Sequence, residues 1–213
     1  MKLLSINVGV PREVVANGRP VTTGIFKQPV SGRVFVRSLN IDGDRQADLT
    51  VHGGIDKAVY AYPHEHYAQW ASELGRRDFV PGQFGENLTT TGLLEDDVRI
   101  GDVLAIASAR FEVSQPRVPC YKLALRMEMP QFPKLFLQSQ RTGFYLRVVQ
   151  EGEIGAGDEI SRIATDPQQM TVREVFDVAY GEGAGRSDFQ RAVEMPALAE
   201  SWREMFTERL AEK

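Results

Sequence analysis

The stretch VLAIASARFEVS, residues 103–114, decides the fold. Two alternating runs, 103–107 and 110–114, flank Ser108, so the segment reads as a β-hairpin turning there. Working outward, residues 34–39 (VFVRSL) and 144–149 (FYLRVV) share its β-branched character, and Gly, Pro, Asn and Asp punctuate the runs from Lys2 to about Ala164. In EGEIGAGDEI, 151–160, Gly155 and Gly157 stand where a positive φ costs little, ahead of another short strand. Many short strands with few helices predict a mainly β, barrel-like domain over residues 1–164.

Two helical insertions interrupt this pattern. Pro63 with HEHYAQWASELG predicts a helix with proline in its first turn, Tyr67, Trp70 and Leu74 on one face and Gly75 as its stop. A second helical region runs from about Cys120 to Gln140, punctuated by Pro130 and Pro133. After Asp166-Pro167 the period changes. Thr171-Val-Arg-Glu174 is a capping-box pattern, Ser187-Asp-Phe-Gln190 repeats it, and a last helix from near Pro196 aligns Leu198, Trp202, Phe206 and Leu210. Residues 168–213 are thus expected to form a small three-helix region, separable from the β domain and used for packing or dimer contacts.

Composition excludes several classes. The 213 residues are 42% hydrophobic and 25% charged, the balance of a globular chain rather than a disordered or fibrous one. The formal net charge is −4 with the basic residues scattered, which argues against nucleic-acid partners. A single cysteine, Cys120, excludes an internal disulfide, a CxxC pair and an iron–sulfur cluster held by several thiolates of one chain, and suits a reducing cytoplasm. The opening apolar run is broken by Ser5 and Asn7, so no signal peptide is expected there, and no stretch reaches the roughly 18 apolar residues of a membrane helix.

Four places could carry chemistry. In QPRVPCYKL, Pro116 and Pro119 stiffen the approach to Cys120 while Arg117 and Lys122 favour its thiolate, the form that binds soft metals or attacks electrophiles; a small buried apolar residue is the alternative role of a lone cysteine. In DLTVHGGIDKAVYAYPHEHY, 48–67, His52 precedes Gly53 and Gly54, and Asp56 and Lys57 follow, the makings of an anion-binding loop. His52 reads equally as a turn histidine. His64 and His66 stand two apart on the expected helix, a poor metal pair because such positions do not share a face. PGQFGENLTTTGL, 81–93, could line a polar pocket and matches neither the phosphate-binding P-loop nor the dinucleotide fingerprint. Arg141 and Thr142 lead into a strand, the ordinary place for a surface arginine.

Taken together, VHGGIDKAVYAYP, FGENLT, GDVL, QPRVPCYKL and GFYLRVVQEGEIGAGDEI resemble the MOSC domain, named for the C-terminal part of molybdenum cofactor sulfurases, over about residues 1–163. The YPHEHY helix and the three closing helices resemble the YiiM-type members of that family. The resemblance implies a barrel-like fold binding molybdenum-molybdopterin, with Cys120 as a molybdenum ligand. It also implies reduction of N-hydroxylated compounds, of the hydroxylaminopurine or amidoxime type. Arg117, Lys122, Lys57, Arg141 and the Gly53-Gly54 backbone are the expected holders of the pterin phosphate, and Asn87 and Gln115 the expected orienting amides. His52 is the candidate proton donor. With no dinucleotide fingerprint, electrons are expected from a separate reductase. A homodimer is possible on this reading, and neither nucleic acid nor a membrane is an expected partner. The 213 residues hold neither the aminotransferase-like domain of full sulfurases nor the family's ferredoxin-like extension, so sulfur transfer from cysteine without help is not expected. Two alternatives remain open: a non-catalytic molybdenum cofactor or sulfur carrier, and a hydrolase with Cys120 as nucleophile, His52 as base and Asn87 as orienter.

Overall fold

Strand periodicity is realised in thirteen strands, which a computed structural model describes over residues 1–16, 18–47 and 53–212. In chain order they are β1 (Lys2–Val8), β2 (Arg12–Ala16), β3 (Arg19–Thr23), β4 (Gln28–Pro29), β5 (Arg33–Arg37), β6 (Asn40–Ile41), β7 (Val59–Pro63), β8 (Leu88–Thr91), β9 (Val103–Ile106), β10 (Ala109–Pro116), β11 (Phe144–Gln150), β12 (Gly152–Gly155) and β13 (Ile160–Ala164). The helices are α1 (Glu65–Leu74), α2 (Tyr121–Met127), α3 (Phe132–Ser139), α4 (Val172–Tyr180), α5 (Arg186–Val193) and α6 (Glu200–Glu212), with a 3-10 turn at Ile55–Lys57.

The main sheet has eight strands in the order β13-β9-β10-β11-β7-β8-β1-β4. The 103–114 hairpin is its β9–β10 pair, closed through Ala107 at φ +47° and Ser108. All neighbours are antiparallel except β7 and β8. A parallel pair needs a crossover, which α1 supplies. The sheet curls until β1 meets the turn before β13: Leu3 N–H donates to Asp158 O (3.0 Å), Gly157 N–H to Leu3 O (2.7 Å), and Lys2 bridges Glu159. The result is a large, curled mixed sheet with helices, not a closed barrel.

β7 sorts the interior in two, because successive side chains of a strand point to opposite faces. Val59 and Ala61 enter the main apolar core with Leu3, Ile6, Leu104, Phe111 and Val113. Tyr60 and Tyr62 enter a second, aromatic core with Trp70, Phe84, Phe132 and Phe136, built by α1, α2 and α3 on the other face.

Several local expectations are corrected. Pro63 closes β7, and α1 starts at Glu65, ending as expected on left-handed Gly75 (φ +63°). Gly157 takes a positive φ (+93°), whereas Gly155 lies within β12 without one. The Thr171 capping box is complete: Glu174 N–H donates to Thr171 Oγ1, and Thr171 N–H to Glu174 Oε2. The Ser187 pattern is shifted, since Gly185 caps α5 and the Asp188 carboxylate accepts its N–H. The last helix begins at Glu200 rather than near Pro196.

The C-terminal helices pack into the core of the sheet. Met170, Val172, Val175, Phe189, Leu198, Trp202 and Phe206 belong to the same apolar core as β1, β9 and β10. The backbone stitches them in: Val172 N–H donates to Val98 O (2.8 Å), Ile100 N–H to Met170 O (3.0 Å) and Ala199 N–H to Ser114 O (3.0 Å), and Arg147 Nη1 donates to Ala197 O (2.7 Å).

Candidate functional site

Beside the aromatic core, a cleft opens between segment 23–27, segment 44–47, β7, β11 and the start of α2. Among the described residues its lining carries five cations, Lys27, Arg45, Lys57, Arg117 and Lys122, against one carboxylate, Asp44. In a chain of net charge −4, this is a concentrated positive field. Cys120 shares the same walls, as do Tyr60 and Tyr145, whose rings are tilted 41° to one another.

The local chain geometry explains the cysteine's position. Pro116 ends β10, the Arg117–Pro119 segment leaves the sheet, and Cys120, extended at φ −115° and ψ 168°, caps α2. It is half-buried at the cleft. Lys122 follows two residues on and is buried in the wall.

Arg117 is also buried. Its guanidinium lies 5.0 Å from the Tyr60 ring centre and 5.1 Å from that of Phe136, while its backbone N–H donates to Gly143 O (3.2 Å). Nη1, although buried, has no hydrogen-bond partner among the described residues. A buried guanidinium N–H without an acceptor is costly, and a bound anion would satisfy it. Tyr60 faces Tyr145 across the β7–β11 register, with ring centres 5.3 Å apart. Burial pushes both phenols above their ordinary range, so both are neutral at working pH.

Burial pushes Lys27 and Lys57 below the ordinary lysine value, opposed in each case by an aspartate, Asp44 and Asp56 respectively. Lys27 Nζ donates to Asp44 Oδ1 at 2.5 Å. Lys57 is delivered by the 3-10 turn that Gly54 opens in the left-handed region (φ +93°).

The other expected site residues are distributed differently. Asn87 lines the cleft, but its amide is committed within the protein: Oδ1 accepts from Tyr60 N–H (3.1 Å), and Nδ2 donates to Asp44 Oδ2 (2.9 Å) and Asn7 O (3.3 Å). Gln115 is buried in β10 outside the lining; its Nε2 donates to Pro116 O (3.5 Å) and its Oε1 has no partner among the described residues. Arg141 lies outside the cleft, 3.9 Å over the Trp70 ring and in a two-pronged pair with Glu73 (2.8 and 2.6 Å). Gly53 and Gly54 do not line the cleft, and His52 lies outside the described residues. His66 is buried with Nε2 2.7 Å from Glu95 Oε2, while His64 stacks on Tyr67. Among the described residues no group of histidines, cysteines and carboxylates could by itself hold a metal ion.

Lys27, Asp44, Arg45, Tyr60 and Tyr145 line the cleft without a sequence signal that marks them. The strand pattern of VYAYP and FYLRVV was visible, but only the β7–β11 register shows which tyrosines meet.

Gly143 ties these parts together. Its N–H donates to Glu95 Oε1 (2.7 Å), its carbonyl holds Arg117, and its φ is +65°. A Cβ there would stand 2.4 Å from Ala61 O and 2.9 Å from the Tyr60 and Tyr62 rings. Gly143→Ala should therefore destabilise the protein by about 2–4 kcal/mol, combining backbone strain with overpacking; the urea midpoint should fall with an unchanged slope.

A curled β-sheet with a thiol in a cationic cleft defines the class of protein. The MOSC domain model matches residues 48–161 and the YiiM-like, 3-alpha helix domain model residues 170–213; the chain belongs to the MOSC family, in its YiiM-like branch. It is 39% identical to the uncharacterized protein YflK of Bacillus subtilis (strain 168), over 96% of this chain and 92% of that one. The crystal structure of YiiM from Geobacillus stearothermophilus superposes with a TM-score of 0.83 at 38% identity, covering 98% of both chains. A protein of Gibberella moniliformis (strain M3125 / FGSC 7600) named "Reductase" is 31% identical over 91% of this chain, which spans only 35% of that longer protein. Among the described residues no helix is long and apolar enough to cross a membrane.

Proposed function

We propose that the protein binds a molybdenum cofactor in this cleft and reduces N-hydroxylated compounds of the hydroxylaminopurine or amidoxime type, in the cytoplasm. The observation that carries the reading is the pairing, among the described residues, of a half-buried thiol with five cations, one of them bearing a buried N–H that finds no acceptor among those residues. The residues fit the group: a thiolate is a soft ligand suited to molybdenum, and clustered ammonium and guanidinium groups suit a phosphate-bearing pterin. Family membership and the relative named as a reductase support the same class of reaction.

When bound, the cofactor supplies a two-electron couple able to take oxygen from an N–OH group. Cys120 Sγ would hold the metal. Arg117 Nη1, Lys27 Nζ, Lys57 Nζ and Lys122 Nζ would hold the anionic group. Tyr60 and Tyr145, uncharged and flat, would face a planar substrate or the pterin and keep water from one side. Asn87 acts within the wall, holding Asp44 and the β7 backbone. His52 remains the proposed proton donor to the departing oxygen. Among the described residues no histidine lines the cleft, so the hydrolase reading finds no histidine base among them.

Protein made in cells that synthesise the cofactor should carry molybdenum and pterin and should reduce hydroxylaminopurine with an artificial electron donor. Absence of both metal and pterin from such a preparation would overturn the reading; bound cofactor without turnover of any N-hydroxylated compound would make the protein a carrier. NADH or NADPH alone should give no turnover, because electrons are proposed to come from a separate reductase. Reduction by the nicotinamide alone, in a preparation free of reductase, would sink that part.

A further inference from the structure

We propose that Asp44 is a positioning residue of the cleft: clamped by the Gly9 N–H and the Asn87 amide, it keeps Lys27 as an ammonium at the cleft wall. It thereby sets the pH range over which the cleft takes an anion. The inference rests on reading the cleft as an anion site, not on its redox chemistry.

The pair is withdrawn from water, with Lys27 7% and Asp44 3% exposed. Ion pairs this deep are weak contributors to stability because desolvation offsets the attraction, so a role at the cleft is the better account of its burial. The carboxylate does not depend on the lysine for its position. Gly9 N–H donates to Oδ1 (2.8 Å) and Asn87 Nδ2 to Oδ2 (2.9 Å), so neutral donors fix both oxygens in place besides Lys27. Lys27 does depend on the carboxylate. An ammonium carries three N–H donors, and Asp44 Oδ1 accepts one of them.

The other charges around Lys27 do not replace Asp44. Glu86, from the loop before β8, attracts it from a distance. That carboxyl is already engaged by Tyr67 OH, Thr89 OH and the Gly82 and Phe84 N–H groups, and burial pushes its pKa up. Arg45, Lys57, Arg117 and Lys122 share the cleft and oppose a further positive charge. Burial disfavours the Lys27 ammonium, and Asp44 is its foremost counterweight. Without the Asp44 charge, Lys27 should release its proton at lower pH, and the cleft would lose a cation.

The test is sulfate binding to the cofactor-free protein, followed by calorimetry at constant ionic strength from about pH 6 to about pH 9, because sulfate keeps its charge over this range while lysine does not. In wild type, affinity should fall at the alkaline end. In Asp44→Asn the fall should begin at lower pH, with affinity about ten- to a hundredfold below wild type near pH 8, the worth of one charged hydrogen bond. Lys27→Arg/Asp44→Asn should recover the lost affinity, since a guanidinium stays charged throughout. Lys27→Arg alone should abolish the part of the alkaline fall due to Lys27, a check that stands even if Asp44→Asn fails to fold. Superimposable curves for Asp44→Asn and wild type, or an alkaline fall unchanged in Lys27→Arg, would overturn the proposal. Failure of wild type to bind sulfate at any pH would overturn the anion-site reading as well.

Discussion

Cys120→Ser should abolish nearly all reductase turnover while leaving the fold intact. The cysteine is the N-cap of α2 in extended conformation, and serine is among the preferred residues for that position. Helix stability should therefore hold or improve slightly. The chemistry should not survive, because a hard, mostly protonated hydroxyl replaces a soft thiolate. Removing an outer-shell partner of a metal already costs about 10- to 100-fold, so removing a direct ligand should cost more than about 100-fold. The cations of the cleft would still attract the pterin phosphate, so some cofactor should remain bound. X-ray absorption at molybdenum is accordingly a sharper measurement than metal content: one sulfur neighbour fewer in the mutant supports ligation. An unchanged sulfur count with full activity would leave Cys120 a packing residue.

Deleting 168–213 should prevent folding of the remainder, contrary to the independence that the change of periodicity at Pro167 suggests. The segment contributes Val172, Val175, Phe189, Trp202 and Phe206 from its helices and Leu198 from the connection before α6, each buried, to the core that the β-sheet also uses. Burying one large apolar side chain is worth about 1.5–3 kcal/mol. Six such losses together approach or exceed the roughly 5–15 kcal/mol that holds a domain folded, before the newly bared face of the sheet is counted. The truncated chain should be insoluble or lack a cooperative thermal transition. A soluble fragment that melts cooperatively and binds sulfate would show that the helices are dispensable.

The sequence by itself determined whatever depends on neighbours along the chain. The hairpin at 103–114, the Thr171 capping box and the stop at Gly75 follow from period, side-chain chemistry and glycine's access to positive φ, all local properties. Cys120 stands out for the same reason, since its prolines, Arg117 and Lys122 are its own chain neighbours. Local reasoning ran out where a residue's partner comes from elsewhere. Arg141 resembled an anion holder until Glu73 and Trp70 of α1 claimed it. Asn87 resembled a ligand amide, yet Asp44, Asn7 and Tyr60 use its hydrogen-bonding atoms. The tertiary structure decided which polar groups meet a ligand and which satisfy one another, because buried hydrogen-bonding capacity must be matched, and the match is made by strand register and helix docking across long stretches of sequence. Tyr60 opposite Tyr145, and Lys27 against Asp44, exist only once β7, β11 and the two loops are folded together.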